Sequence, residues 1–155
     1  MRGTVRDEHM HQAMRPPANH FGLSFHHLGL GVPAPQAAFR YLEALGYTVG
    51  NAVFDPLQRV NLAMRHHVVM PDVEVIWPGD APSPLDRLLR KNGSMIYHVC
   101  YEAASPEAAV AAMEDAGVEF TQVSPPQPAL LFGGREVSFY SLADIGLIEL
   151  LRAPG

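Results

Sequence analysis

Short apolar runs and amphipathic stretches alternate along this chain in an order that occurs twice. Residues 25–32 and 96–101 are apolar, contain β-branched or aromatic side chains and enclose a histidine, so each run predicts a buried strand. A helical pattern follows each one, at 35–45 and at 106–116. Both helical patterns begin with proline and are followed directly by glycine, which is the usual asymmetry of helix ends.

Three further strand-like runs follow each predicted helix. They lie at 47–54, 59–66 and 72–77 in the first half, and at 118–123, 130–140 and 147–152 in the second. The run at 130–140 is interrupted by Gly133-Gly134, a hairpin signal. Each half therefore predicts the order βαβββ.

The spacing of landmarks indicates that the two halves are copies of one module. His27 and His98 are 71 positions apart, and so are Gly46 and Gly117. We predict module 1 at about 24–79, a linker helix at 80–93 and module 2 at about 94–152, packed as a single domain over 23–155. The segment 1–22, which lacks a clean period, is expected to be a flexible N-terminal extension.

Four ionisable residues interrupt otherwise apolar strands at equivalent places in the two halves. His27 and His98 lie in the first strand of each module, and Glu74 and Glu149 lie in the last. A buried carboxylate is costly unless it is paired or bound to a metal, so a symmetric set of four predicts one shared metal site. Imidazole and carboxylate suit Co, Ni, Mn, Fe or Zn as a divalent ion. Strand alternation predicts that His26 points away from this site.

Composition narrows the functional classes. The net charge is -5 and no dense Lys/Arg cluster occurs, so we expect neither a nucleic-acid nor a membrane partner. No apolar run approaches the roughly 18 residues of a membrane span. We see no signal peptide, and the single cysteine, Cys100, agrees with a reducing compartment, so a cytoplasmic location is expected.

Several motifs resemble the vicinal oxygen chelate superfamily, which includes glyoxalase I and extradiol dioxygenases, and most of all methylmalonyl-CoA epimerases. The resemblance covers roughly residues 25–152. It rests on His27-Leu28-Gly29, on Gln58-x-Val60, on the stretch from Lys91-Asn92-Gly93 to His98, and on Leu147-Ile148-Glu149-Leu150. It implies an α+β fold in which tandem βαβββ modules form a curved, mostly antiparallel sheet around a metal site, and it implies a homodimer.

The resemblance also implies site residues. His27, His98 and Glu149 take the places of three metal ligands. The fourth place, often Gln in the epimerases, is Glu74 here, as in bacterial glyoxalase I. The epimerases carry a catalytic Glu where this chain has Leu62.

The chemistry implied is a metal-dependent isomerase, epimerase or lyase reaction through an enolate, on a small carbonyl or acyl-thioester substrate. With Leu62 at the place of the usual base, Glu74 and Glu149 are the candidate catalytic residues. Predicted substrate contacts come from Gln58, Asn61, Leu62 and Tyr140. Two alternatives remain, namely an Fe²⁺ dioxygenase and a non-catalytic binding or resistance protein of the same fold.

Overall fold

The computed structural model describes residues 19–155, so most of the predicted extension at 1–22 lies outside the described residues. The strands are β1 (Leu23–Gly31), β2 (Val53–Asp55), β3 (Val60–Arg65), β4 (Val73–Pro78), β5 (Met95–Ala103), β6 (Phe120–Pro128), β7 (Glu136–Leu142) and β8 (Gly146–Arg152). The helices are α1 (Gln36–Ala44), α2 (Pro84–Asn92) and α3 (Pro106–Asp115), and a short 3-10 turn spans Leu130–Phe132.

All eight strands form one curled sheet in the order β2-β3-β4-β1-β5-β8-β7-β6. The order is symmetric about its centre, where β1 and β5 pair antiparallel. β1 also pairs with β4, and β5 with β8, and both of these pairs are parallel. The remaining pairs are antiparallel, so the predicted α+β fold of two βαβββ units in a mostly antiparallel curved sheet is confirmed.

Helices α1 and α3, one in each module, end in the same way. Gly46 and Gly117 both have positive φ, at 94° and 76°, a conformation that glycine adopts without strain. In each case the next residue turns back, so that Tyr47 N–H donates to Leu42 O and Val118 N–H donates to Met113 O, both at 3.0 Å. The equal spacing of these glycines in the sequence therefore reflects equal helix endings.

α1 and α3 cover one face of the sheet, whereas α2 packs through Leu85 against Val60, Leu62 and Ile76 on the other. Leu42 of α1 packs against Val73 and Val75 of β4, and Met113 of α3 packs against Leu150 of β8. Side chains of opposite parity on the same strands point into the concave face. The four candidate metal ligands are on that concave face.

The structure shortens two predicted strands. β2 covers only Val53–Asp55, because the chain from Tyr47 onward is coil. Thr48 bonds to the end of β3 only through His66 O, which accepts from its N–H and its hydroxyl. The predicted run at 130–140 starts as a 3-10 turn, and β7 begins only at Glu136. Gly133 and Gly134 both have positive φ, which a strand cannot accommodate.

Candidate metal centre

Four side chains from four strands meet on the concave face. His27 (β1), Glu74 (β4), His98 (β5) and Glu149 (β8) are each at most 4% exposed, and one donor atom from each lies within 4.8 Å of the other three. Nε2 of His27 is 2.9 Å from Glu74 Oε2, 3.3 Å from His98 Nε2 and 3.8 Å from Glu149 Oε1. The structure thus brings together the four residues that the sequence analysis proposed as ligands.

Strand register explains why these positions converge. Gly29 pairs with Glu74 on one side and with His98 on the other, so these two side chains flank β1 at the same level. Cys100 pairs with Glu149 in the parallel β5–β8 ladder. The site therefore lies at the centre of the sheet, where the first and last strands of both modules are neighbours.

Gly29 makes room for the imidazole of His98. An ideal Cβ built on Gly29 would lie 2.5 Å from His98 Nδ1 and 2.7 Å from its Nε2. These separations are far below the usual contact distance of about 3.5–4.0 Å between carbon atoms. The His98 ring therefore lies directly against the backbone of β1, a position that only glycine allows.

The donor set suits a divalent cation. Two carboxylates and two imidazoles share a buried site, and Glu149 Oε1 has no hydrogen-bond partner among residues 19–155. Burial and the nearby Glu74 carboxylate raise the pKa of Glu149. Burial also opposes ionisation of Glu74, but hydrogen bonds with His27 and His98 outweigh it and lower its pKa. Metal–ligand bonds of about 2.0–2.2 Å place donors roughly 3–4 Å apart. The distances from the two histidine Nε2 atoms to each other and to the carboxylates are 2.9–3.9 Å.

A fifth residue, His26, lies against this cluster through His27, contrary to the prediction that it points away. Its Nδ1 lies 2.8 Å from Nδ1 of His27. The register between β1 and β5 shifts between Phe25 and His27, so His26 occupies a β-bulge and the strict alternation of faces fails there. Burial lowers the pKa of His26, and the adjacent His27 lowers it further. His26, His27 and Cys100 also form a second group of donors within 4.8 Å.

An open cavity of about 220 Å³ lies near the four-residue cluster, lined by neighbours of these residues and by none of the four themselves. Its wall includes Ile76, two residues beyond Glu74 on β4, and Leu147, two residues before Glu149 on β8. Phe139, which pairs with Glu149 across β7 and β8, also lines it, and its ring centroid is 5.4 Å from that of His98. The side chains that line the cavity are mostly apolar.

Two of the predicted substrate contacts lie at this cavity. Gln58 lines it directly and follows Asp55, whose carboxylate accepts the N–H groups of Leu57 and Gln58. Leu62 does not line the cavity but lies beneath its wall, in one cluster with Val60, Ile76 and Leu85. Those three residues line the cavity.

The other two predicted substrate contacts, Asn61 and Tyr140, lie on the opposite face of the sheet, which α1 and α3 cover. Asn61 pairs with Trp77, and its side-chain amide donates to Pro78 O at 3.0 Å. Tyr140 packs with Ala109 and Met113 of α3 and contacts the Phe120 ring edge to face. Neither lines the cavity, so the positions of these two residues do not support the expectation of a substrate contact.

Sequence reasoning overlooked several aromatic neighbours of the histidines. Phe132 stacks on His27 with centroids 5.5 Å apart, and Tyr97 and Phe139 contact His98 edge to face. The contact of Tyr97 could have been predicted, since Tyr97 directly precedes His98 in the sequence. The contact of Phe132 could not, because its position over His27 depends on the turn before Gly133.

The family assignment follows from comparison with known proteins. Residues 26–139 match the model of the glyoxalase/bleomycin resistance protein/dioxygenase superfamily. The chain belongs to this superfamily, as its motifs indicated. No curated protein sequence matches the chain.

Solved structures share the fold at low identity. A hypothetical protein from Bacillus halodurans C-125 has a TM-score of 0.72 at 21% identity, over 86% of this chain and 96% of that one. Methylmalonyl-CoA epimerase from Mycobacterium tuberculosis has a TM-score of 0.68 at 21% identity, over 86% and 89%. A Streptomyces coelicolor methylmalonyl-CoA epimerase variant, in complex with 2-nitronate-propionyl-CoA, has a TM-score of 0.65 at 21% identity, over 84% and 97%.

In residues 19–155, none of the helices has the length and apolar character needed to cross a membrane.

Proposed function

We propose that this protein is a metal-dependent isomerase, epimerase or lyase that forms an enolate from a small carbonyl or acyl-thioester substrate. The observation that carries the proposal is the buried quartet of His27, Glu74, His98 and Glu149 beside an open cavity. The superfamily match supports it, as does the fold shared with epimerases, one of which was solved with an acyl-CoA analogue.

In this proposal the quartet holds one divalent ion, Co, Ni, Mn, Fe or Zn. When bound, the ion supplies Lewis-acid stabilisation of the negative charge that develops on the substrate carbonyl oxygen. Gln58, fixed in its turn by Asp55, orients the substrate at the cavity mouth. The apolar wall of Ile76, Leu147 and Phe139 excludes water from the reacting carbon.

Glu149 is the preferred proton acceptor. Leu62 is apolar and packed under the cavity wall, so it cannot serve as a base. Glu149 is next to two residues that line the cavity, Phe139 opposite it on β7 and Leu147 two residues before it on β8, and its Oε1 is free of hydrogen bonds within the described chain. It would remove the proton from the carbon next to the carbonyl. In an epimerisation a proton must also reach the opposite face of the enolate, and Glu74, the other buried carboxylate, would deliver it after taking one from solvent.

The test is hydrogen exchange with solvent. Metal-loaded protein is incubated in heavy water with 2-methyl-branched acyl thioesters and with hemithioacetals, and deuterium at the substrate α-carbon is followed by NMR. We expect exchange in the native protein and a loss of about 10²–10⁴-fold in Glu149→Gln. Glu114→Gln, an exposed carboxylate on α3, is the matched control and should exchange normally.

The competing functions give different results in the same experiment. Absence of exchange across both substrate classes contradicts the enolate mechanism. Oxygen consumption by the iron-loaded protein would favour a dioxygenase instead. The burial of Leu62 where the epimerases carry a base specifically favours a non-catalytic binding protein, which would bind a small molecule tightly without turnover.

We also propose that the protein is a homodimer, as the resemblance to the epimerases implies, and that it is cytoplasmic, as its single cysteine, Cys100, suggests. Sedimentation equilibrium of the purified full chain tests this, and a mass near the 16.9 kDa of one chain would contradict it.

A further inference from the structure

We infer that His26 is a positioning residue for the metal centre, which accepts a hydrogen bond from Nδ1 of His27 and thereby presents Nε2 of His27 to the ion. This inference rests on the proposed metal dependence and adds a fifth residue to its machinery. The observation behind it is the 2.8 Å separation of the two Nδ1 atoms.

The two nitrogens of His27 face different partners. Nε2 points into the quartet, 2.9 Å from Glu74 Oε2, while Nδ1 points to His26. A neutral imidazole carries one proton, so an Nε2 that binds a metal requires the proton on Nδ1. Metal-binding histidines almost always donate that proton to a fixed acceptor. Among the described residues, Nδ1 of His26 is the atom in place to accept it.

A local defect in the sheet puts His26 in this position. Phe25 pairs with Tyr101 and His27 pairs with Cys100, so His26 is the extra residue of a bulge in β1. In a regular strand, neighbouring side chains point to opposite faces. The bulge turns His26 toward the ring of His27, and β-bulges commonly re-aim side chains in this way beside functional sites.

The ring of His26 is held in place by its surroundings. Phe132 contacts it edge to face, with centroids 5.3 Å apart, and also stacks on His27. His98 has no equivalent acceptor, since its Nδ1 is without a hydrogen-bond partner in the described part of the chain. Gly29 and Phe139 orient His98 by packing instead. The two histidine ligands are thus fixed by different means.

A rival arrangement would make His26 a ligand itself, together with His27 and Cys100. In that case His27 would bind through Nδ1. Its Nε2 and the two buried carboxylates, Glu74 and Glu149, would then be left without the cation that their convergence requires. Geometry and charge therefore favour His26 as an acceptor rather than as a ligand.

The experiment compares three substitutions in the full-length chain, stripped of metal and titrated with Co²⁺. In His26→Asn the Oδ1 atom takes roughly the place of Nδ1, whereas His26→Gln puts its acceptor near the place of Nε2. His26→Leu removes the acceptor altogether. The matched control is His66→Asn, since His66 lines a neighbouring cavity with His26 but bonds to Asp72.

The measurements are Co²⁺ affinity, the visible cobalt spectrum and the hyperfine-shifted N–H signal of the ligating histidine. We expect His26→Gln and His26→Leu to lose about 10–100-fold in affinity, with an altered spectrum and a lost or broadened N–H signal. His26→Asn and His66→Asn should keep all three near the native values. Unfolding midpoints of the metal-free proteins establish that each variant is folded.

The outcomes separate this inference from the proposed function. Failure of the native protein to bind Co²⁺ contradicts the proposed function, and the inference falls with it. Native binding with unchanged affinity and spectrum in His26→Leu overturns the inference alone. An equal loss of Co²⁺ affinity in His26→Asn and His26→Leu would also overturn the inference. A sulfur-to-cobalt charge-transfer band that disappears in Cys100→Ser would show the rival site and likewise overturn it.

Discussion

The close approach of His98 to Gly29 predicts that one added methyl group would disrupt the candidate metal site. In Gly29→Ala the new Cβ would lie 2.5 Å from His98 Nδ1, whereas unstrained contacts need about 3.5–4.0 Å. His98 would have to shift by about 1 Å or change rotamer. Its backbone pairs directly with Gly29, so β5 cannot simply move away from β1.

Two measurable effects follow from this overlap. Overpacking of a filled interior usually costs about 1–3 kcal/mol, and we expect the free energy of unfolding of the metal-free protein to fall by that amount. Displacement of a ligand also weakens metal binding, and a loss of at least about 10–100-fold is expected, as for changes that misorient ligands. Urea unfolding and Co²⁺ titration measure the two effects separately.

Gly31→Ala is the matched control. It makes the same change two residues further along β1, but its nearest contact would be 3.2 Å from Leu85 Cδ1, the end of a flexible side chain. A double-mutant cycle with His98→Ala isolates the clash, because Gly29→Ala should cost much less once the ring is absent. The reasoning fails if Gly29→Ala is no worse than Gly31→Ala, or if it costs as much without His98 as with it.

Three further changes test other parts of the structure. Saturating metal at 100 times its dissociation constant should stabilise the native protein by about 2.7 kcal/mol, seen as a higher melting temperature that chelator reverses and that Glu149→Gln diminishes. Asp55→Ala removes the acceptor for the N–H groups of Leu57 and Gln58. We expect the free energy of unfolding to fall by about 1–2 kcal/mol and KM to rise. An unchanged KM would argue against Gln58 as a substrate contact. Tyr140→Phe should leave kcat/KM within about twofold, since Tyr140 lies in the α3 core; a larger loss would contradict that placement.

The convergence of the quartet could be anticipated because two independent signals agreed. An internal repeat related His27 to His98 and Glu74 to Glu149, and each of the four interrupted an apolar strand. In the structure they are buried together on one face. Burying four ionisable groups in an otherwise apolar sheet is costly, and a cation held between them offsets that cost for all four at once.

The substrate contacts were harder to anticipate because they depend on strand parity. Asn61 and Leu62 are adjacent in the sequence, yet Leu62 packs under the cavity wall while Asn61 points to the helical face. A one-residue change of register exchanges the two faces of a strand. The face on which Tyr140 lies was equally uncertain, since the glycine pair at 133–134 left the start of β7 undetermined from the sequence. Composition alone could not choose the face for any of the three.

The orientation of His26 could not be predicted from the alternation of side chains along a strand. Regular alternation predicts that it points away from His27, and residues 23–28 contain no glycine or proline that would indicate a bulge. The bulge is a property of the β1–β5 pair, because it exists only relative to the register of Tyr101 and Cys100. Such a defect leaves a ladder residue unpaired, and the hydrogen bond between His26 and His27 offsets part of that loss. If His26 does orient the metal ligand, the irregularity and the function have one cause, since a regular β1 would leave Nδ1 of His27 without this acceptor.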